Sequence, residues 1–320
     1  DDASAEPSLA TDWSVSDDGL TWTFNLRTDI PWVKYNADTG AVEEVMDDSG
    51  NVVYVTASQV EYGIKRACDA ATASDYAYIL YVIDGCEAAN SGEGSVDDVA
   101  VTAVDDATLE ITTTYAASFF PQIVSMPTAF PTPQWVIEEF GDVWTEAENI
   151  VGNGPYAVAE WIHNDSMQIV KNPFWPGWAE DSRVGNVDVY DFVMIEEAST
   201  EFAMYENNEL DASQVPQDQM DAVFGEGSAY GDEGHIAPVN CTYFYGFIMQ
   251  KDAVSDVNVR KALSMAVDRV TLVEQILKGG QQPANSFTNP LNFGSVAYDP
   301  EVGSWALTEE QGGTGYEAAV

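Results

Sequence analysis

The 320 residues carry 54 Asp and Glu against 11 Lys and Arg, a formal net charge of −43 at pH 7. That balance excludes nucleic acid and anionic membrane surfaces as attracted partners, because both are polyanions. The length predicts two or more packed lobes, and 45% hydrophobic with 12% aromatic residues is the composition of a chain that folds.

The acidic residues are spread through periodic sequence instead of forming a tail, which reads as a heavily solvated surface and fits a salt-rich or extracellular habitat. No run reaches the roughly 18 apolar residues a membrane helix requires. The start, Asp1-Asp2-Ala3-Ser4-Ala5-Glu6, lacks the basic and apolar regions of a signal peptide. Both ends read as cut, since Leu9 follows only a short polar lead-in and Tyr316–Val320 stops inside a helical pattern, so a fragment is expected.

Ser16-Asp17-Asp18-Gly19 predicts a turn, and Trp22-Thr23-Phe24-Asn25-Leu26 alternates as a half-buried strand. Hairpins are expected from Glu44-Val45-Met46 and Val52–Val55 around Asp47–Asn51, and from Val99–Val104 and Thr108–Thr112 around Asp105-Asp106. Between them, Thr56-Ala57-Ser58-Gln59 is a capping box, followed by Val60, Ile64 and Ala67 at helical spacing. Pro121, Pro127, Pro131 and Pro133 punctuate the chain, which places a domain boundary near Pro131 and a helix over Gln134–Phe140. Strands are predicted over Ala157–Ile162, Met167–Val170 and Val187–Ile195. A helix from Thr200 to Asn208 then completes the αβ alternation of mixed or parallel sheets. Thr242–Met249 reads as an aromatic strand. Val259, Leu263, Ala266, Val267, Val270, Val273 and Leu277 form one apolar helical stripe ended by Gly279-Gly280.

Few residues point to catalysis. Asp47–Asn51 lacks the alternating ligands and terminal Glu of a calcium loop and is better read as a hairpin turn. His163 and His235 have no HxxxH or Cys-pair context, so no metal and no cofactor is implied. Glu138-Glu139 and Glu196-Glu197 resemble a glycosidase pair, but 54 acids produce such pairs by composition. No GxSxG elbow, P-loop or GxGxxG occurs, and the expectation is that the chain is not an enzyme. Tyr243-Phe244-Tyr245-Gly246-Phe247 follows one inferred domain and leads into the next. A strand crossing a hinge there can line an interlobe cleft, with ordinary core packing of the aromatics as the competing reading.

Six segments in order resemble the oligopeptide, dipeptide and nickel family of ABC-transporter solute-binding proteins, its oligopeptide-binding branch in particular. Leu9–Trp13 with Ser16–Arg27 is similar to "LAxxWxxSxDGLTYTFxLR", Thr56–Val60 with Lys65-Arg66 to "TAxDVxYSxKR", and Val104–Ile111 to "VDDxTLEI". Asn149–Tyr156, Trp161 and Asn172–Trp175 resemble "GTGPYxxxxW…NPxYW", Glu209-Leu210-Asp211 "GELD", and Asp256–Arg269 "DVRVRKALSxAIDR".

The resemblance implies a mixed α/β, type II periplasmic-binding-protein-like fold, with two lobes and an extra β-rich domain, incomplete here. Residues 1–131 are then the extra domain, 132–240 part of the first lobe and 241–320 the start of the second. It implies capture of an oligopeptide or similar small solute and delivery to the membrane permease of an ABC importer. The full-length protein is expected to be a monomer outside the cytoplasm, periplasmic or lipid-anchored. The signal or lipid anchor is expected before Asp1, and the acidic residue that pairs with a peptide's amino terminus after Val320. Tyr76 falls where oligopeptide binders carry a cleft tyrosine, and Tyr243, Phe244 and Tyr245 on the cleft-lining crossover strand. These are the expected ligand contacts. Pro31–Tyr54 departs from the family by replacing the usual short "FxDGxPV" with a longer hairpin. A secreted glycan-active hydrolase and an acidic surface interaction module are the competing functions.

In an extracytoplasmic protein thiols tend to pair. Cys68 sits late in the capped helix and Cys86 follows the apolar run Tyr78–Ile83, with Ala70–Tyr76 able to turn the chain back, so a Cys68–Cys86 disulfide is expected; buried unpaired thiols are the alternative. Cys241 stands where relatives can carry a Cys bridged to the later part of the second lobe, and is expected to be free.

Overall fold

A computed structural model of the chain describes residues 4–180, 185–237, 239, 241–284 and 287. Two compact units divide it, Asp1–Met194 and Ile195–Val320. The first unit runs β1 (Ala10–Val15), β2 (Thr21–Leu26), β3 (Val33–Asn36), β4 (Ala41–Glu44), α1 (Ala57–Cys68) and α2 (Cys86–Ser91). It continues with β5 (Val101–Asp105), β6 (Thr108–Thr112), α3 (Phe120–Val124), α4 (Gln134–Phe140), β7 (Tyr156–Ile162), β8 (Ser166–Lys171), α5 (Gly177–Glu180) and β9 (Val189–Val193).

The main sheet has the order β1-β2-β6-β5, antiparallel throughout. Trp22, Phe24 and Leu26, every second residue of β2, are buried, as a pleated strand with one covered face requires. Helix α1 supplies the cover through Val60, Ile64 and Ala67, one turn or nearly one turn apart. Gln59 fixes its start: Oε1 accepts the Thr56 backbone N–H at 2.9 Å, closing one arm of the capping box, and also the Trp32 indole N–H at 2.9 Å. Gly63 lets α1 approach the next layer, because a Cβ there would stand 2.4 Å from the Phe130 carbonyl oxygen. Phe120 of α3 closes the core between Trp22 and Phe24, with ring centroids 5.8 and 6.2 Å away.

The hairpin expected at 44–55 forms as a short one, with Met46 bridged to Val52 and the N–H groups of Asp47 and Val53 donating to Asn51 O and Val45 O, both at 2.8 Å, while a longer ladder forms earlier, between β3 and β4. The Asp47 carboxylate accepts the N–H groups of Ser49 and Asn51, which closes a tight turn. Both arms bond Trp32, through Val45 N–H to Trp32 O at 2.8 Å and Trp32 N–H to Val53 O at 2.9 Å. Trp32 is thereby buried, edge-on to Trp135 of α4 at 5.4 Å.

The third sheet is the meander β7-β8-β9. Every described strand pair is antiparallel, whereas the 187–208 stretch was expected to join a mixed or parallel sheet. The three-residue connection from β7 to β8, with Asn164 in the left-handed region at φ 62°, leaves no room for a crossover helix. Asn172 organises the end of this sheet and is fully buried. Its Nδ2 donates to Gly154 O at 2.8 Å, its Oδ1 accepts Phe174 N–H at 3.0 Å, and its carbonyl accepts the Trp178 indole at 2.6 Å. The Gly-Asn-Gly-Pro-Tyr and Asn-Pro-Phe-Trp segments are thus two sides of one satisfied hydrogen-bond knot, the arrangement a buried amide needs.

Cys68, the last residue of α1, and Cys86, the first of α2, are joined in a disulfide with Cα atoms 5.2 Å apart, both fully buried. The bridge closes a loop with a sequence separation of 18, worth about 3 kcal/mol in the chain-entropy account.

The second unit contains α6 (Ala198–Glu206), α7 (Met220–Phe224), α8 (Asp252–Ser255), α9 (Val257–Met265) and a π-helical turn, Thr271–Leu277. The single stripe expected over 259–277 is broken: α9 ends at Met265 with Ala266 as its C-cap. Asp268, inside that stripe, instead starts the next turn by accepting Thr271 N–H at 3.0 Å and its hydroxyl at 2.7 Å, the local bonding that makes Asp an element starter. Residues 242–248 form no strand among the described residues, because no ladder partner is present for them there. Among the described residues no helix is long and apolar enough to cross a membrane.

Candidate functional site

Tyr76 sits on the loop closed by the disulfide, directly before a 3-10 turn, Ala77–Leu80. Ala77 and Leu80 anchor that turn in the core, while the Tyr76 and Tyr78 rings are exposed. Tyr76 is 58% exposed and lies 6.2 Å from Tyr78, ring centroid to centroid. The loop is shaped upstream by Asp69, whose carboxylate accepts Ala71 N–H at 2.9 Å, and by Ala73 in the left-handed region at φ 51°.

Tyr243, Phe244 and Tyr245 belong to the other unit. Tyr243 and Tyr245 are 85% and 86% exposed and meet edge to face at 5.8 Å, while Phe244 packs on Phe287 at 5.0 Å. Residues two apart share a side and the one between takes the other, the direction rule of an extended chain. Hydrogen bonding with Tyr245 raises the Tyr243 phenol above its ordinary value. The structure thus brings the two tyrosines of the 243–245 segment together, and describes Tyr76 within its own unit.

Several other polar groups are held by neighbours within the fold. His163 lies against Glu146, Nε2 to Oε2 3.0 Å, and its ring packs at a tilt against Trp161, centroids 4.2 Å apart. Tyr205 and Tyr230 donate to Glu233 and Glu206 at 2.5 and 2.6 Å, and each carboxylate raises the phenol it accepts from. Glu138 accepts from Gln134 at 2.7 Å, one helical turn earlier. Cys241 carries a free, exposed thiol. Among the described residues no group of three or more His, Cys, Asp or Glu gathers as metal ligands.

Sequence reasoning selected Tyr76 but passed over its neighbours Tyr78, Tyr81, Tyr115 and Phe119, which line a concavity of about 540 Å³ with it nearby. The signal that could have found them is the density of aromatic residues just outside the periodic elements, at 76–81 and 115–120.

Compared with known proteins, the chain is 34% identical over 289 residues to the dipeptide-binding protein DppE of Bacillus subtilis, covering 90% of this chain and 48% of DppE. Among solved structures it is similar to the murein tripeptide binding protein MppA of Escherichia coli, with TM-score 0.78 and 27% identity over 98% of this chain and 55% of MppA. The Haemophilus influenzae OppA complex with the peptide RPPGFSPFR gives TM-score 0.76 and 27% identity, over 98% of this chain and 56% of that one. The chain spans about half the length of the curated relatives it matches, and its fold class is the mixed α/β, type II class of these binding proteins. The family model described as bacterial extracellular solute-binding proteins, family 5 Middle, matches residues 4–310, and the chain belongs to that family.

Proposed function

We propose that the protein is the extracytoplasmic solute-binding component of an ABC importer, which captures oligopeptides in a cleft between its lobes and hands them to a membrane permease. The family match over residues 4–310 carries this reading, and relatives named as dipeptide- and oligopeptide-binding proteins support it. In this reading residues 1–131 are the extra domain, 132–240 part of the first lobe and 241–320 the start of the second. The full-length protein works as a monomer, periplasmic or lipid-anchored, and binds without catalysing. Tyr76, Tyr243, Phe244 and Tyr245 contact the ligand. Solvent-facing rings next to backbone that can pair with an extended peptide offer affinity with little sequence choice, since main-chain hydrogen bonds do not depend on side chains.

Isothermal titration of the full-length protein with short mixed-sequence peptides is expected to show saturable heat that weakens in Tyr76→Ala and Tyr245→Ala. Tight binding of oligosaccharides or a metal chelate with no response to peptides would overturn the ligand assignment.

A further inference from the structure

We propose that the concavity beside Tyr76 is a subsite for a cationic side chain, arginine above all. It lies wholly within the first unit and is lined by residues from two stretches of chain, among them Tyr78 and Tyr81 from the one and Tyr115 and Phe119 from the other, together with Glu87. Tyr78, Tyr115 and Phe119 are 59%, 54% and 40% exposed, an uncommon outlay of aromatic surface for rings with a packed core directly beneath them. Leu80, Ile83 and Phe120, their neighbours in sequence, are fully buried in that core, so each ring is held outward by an anchored backbone.

The polar groups decide the occupant. Tyr81 is committed, its hydroxyl donating to Asn90 at 2.7 Å. The Glu87 carboxylate and the hydroxyls of Tyr78 and Tyr115 take part in no described hydrogen bond or ion pair, in contrast to Glu206 and Glu233, whose carboxylates are occupied by tyrosines. Several ring faces with one free carboxylate and no cation in the lining make a complement for a guanidinium, which stacks on aromatic faces and forks onto a carboxylate. The net charge of −43 adds long-range attraction of the same sign.

The disulfide gives the subsite its rigidity. Cys86 immediately precedes Glu87 and is bonded to the end of α1, so the carboxylate and the tyrosine-bearing loop start and finish on one buried bridge. The subsite also adjoins Tyr76 through the 6.2 Å contact with Tyr78. A peptide held at Tyr76 can therefore place a neighbouring side chain here, an inference that rests on the peptide-binding reading above.

The test pairs Ala-Arg-Ala with Ala-citrulline-Ala, which differ in charge and hardly in shape, against the full-length protein and its Glu87→Gln variant. The arginine peptide is expected to bind about five- to tenfold tighter, the size of a stacked cation with an exposed ion pair. Glu87→Gln should erase most of that ratio without changing citrulline-peptide affinity, and Tyr115→Leu should reduce it. Equal affinities, or a ratio that Glu87→Gln leaves intact, overturn the subsite while peptide binding stands. If neither peptide binds, the peptide reading fails, and N-acetyl-arginine amide titrated against tyrosine resonances decides the subsite: shifts lost in Glu87→Gln uphold it, and their absence removes it.

Discussion

The two units use the same hydrophobic grammar and reach different ends. In the first, alternate residues of β2 and the Val60, Ile64, Ala67 face of α1 meet and exclude water. In the second, α9 carries Val259 and Leu263 at equally good helical spacing, yet both remain 40% and 48% exposed. Among the described residues there, Phe202, Pro216 and Val223 are the buried apolar side chains. Periodicity specifies an element and the face it must cover, and burial requires a second layer to cover it. The first unit has its layers, a disulfide and a satisfied buried amide; the described part of the second has elements without an opposing layer.

The largest effect that can break this contrast comes from matched truncations. Phe120→Ala removes a fully buried ring and should cost about 3–5 kcal/mol, whereas Leu263→Ala should stay within about 0.5 kcal/mol. Denaturant titration of each variant measures both, and a cost above about 2 kcal/mol at Leu263 would show that its face is covered after all. Next in size, replacing both Cys68 and Cys86 by Ala should lower stability by about 3 kcal/mol. Faster proteolysis is expected between residues 69 and 85, with cleavage in the second unit unchanged. An unaltered midpoint would mean that packing alone holds the loop.

The smallest effect concerns acid. Hydrogen bonds from the Arg27 guanidinium, 2.8 and 2.7 Å, hold the Asp29 carboxyl below its ordinary value of 3.8. A folded-state pKa below the unfolded one contributes stability that is present above the unfolded value and is lost as pH falls through the folded one. Asp29→Asn should therefore weaken the protein slightly at neutral pH and flatten its acid limb below about pH 4, within the small range of an exposed pair. A steeper acid limb in the variant would reverse the sign of this interaction.

Much of the local structure was legible because short-range chemistry decides it. The capping box at Thr56 and Gln59, the alternation of Trp22–Leu26, the 101–112 hairpin and the helix over Gln134–Phe140 each depend on neighbours within a few residues. Other segments turn on groups that a hydrophobic pattern does not record. The arms of the 44–55 hairpin pair with each other and also bond Trp32 from outside it, and Asp268 interrupts, through local bonds to Thr271, a stripe whose hydrophobic spacing is unbroken. The 242–248 segment has strand composition, yet a strand exists only where another chain segment pairs with it.

By itself the sequence determined the family, through six ordered segments, the strongly acidic surface, and the local elements whose caps and periodicities are written within a turn or two. Only the tertiary structure decided that Asn172 ties two distant segments into one knot, and that Tyr78, Tyr115 and Phe119 share a concavity with an unengaged Glu87. Periodicity encodes the direction of a side chain relative to its own element, whereas convergence of residues nearly forty positions apart is set by how the elements pack.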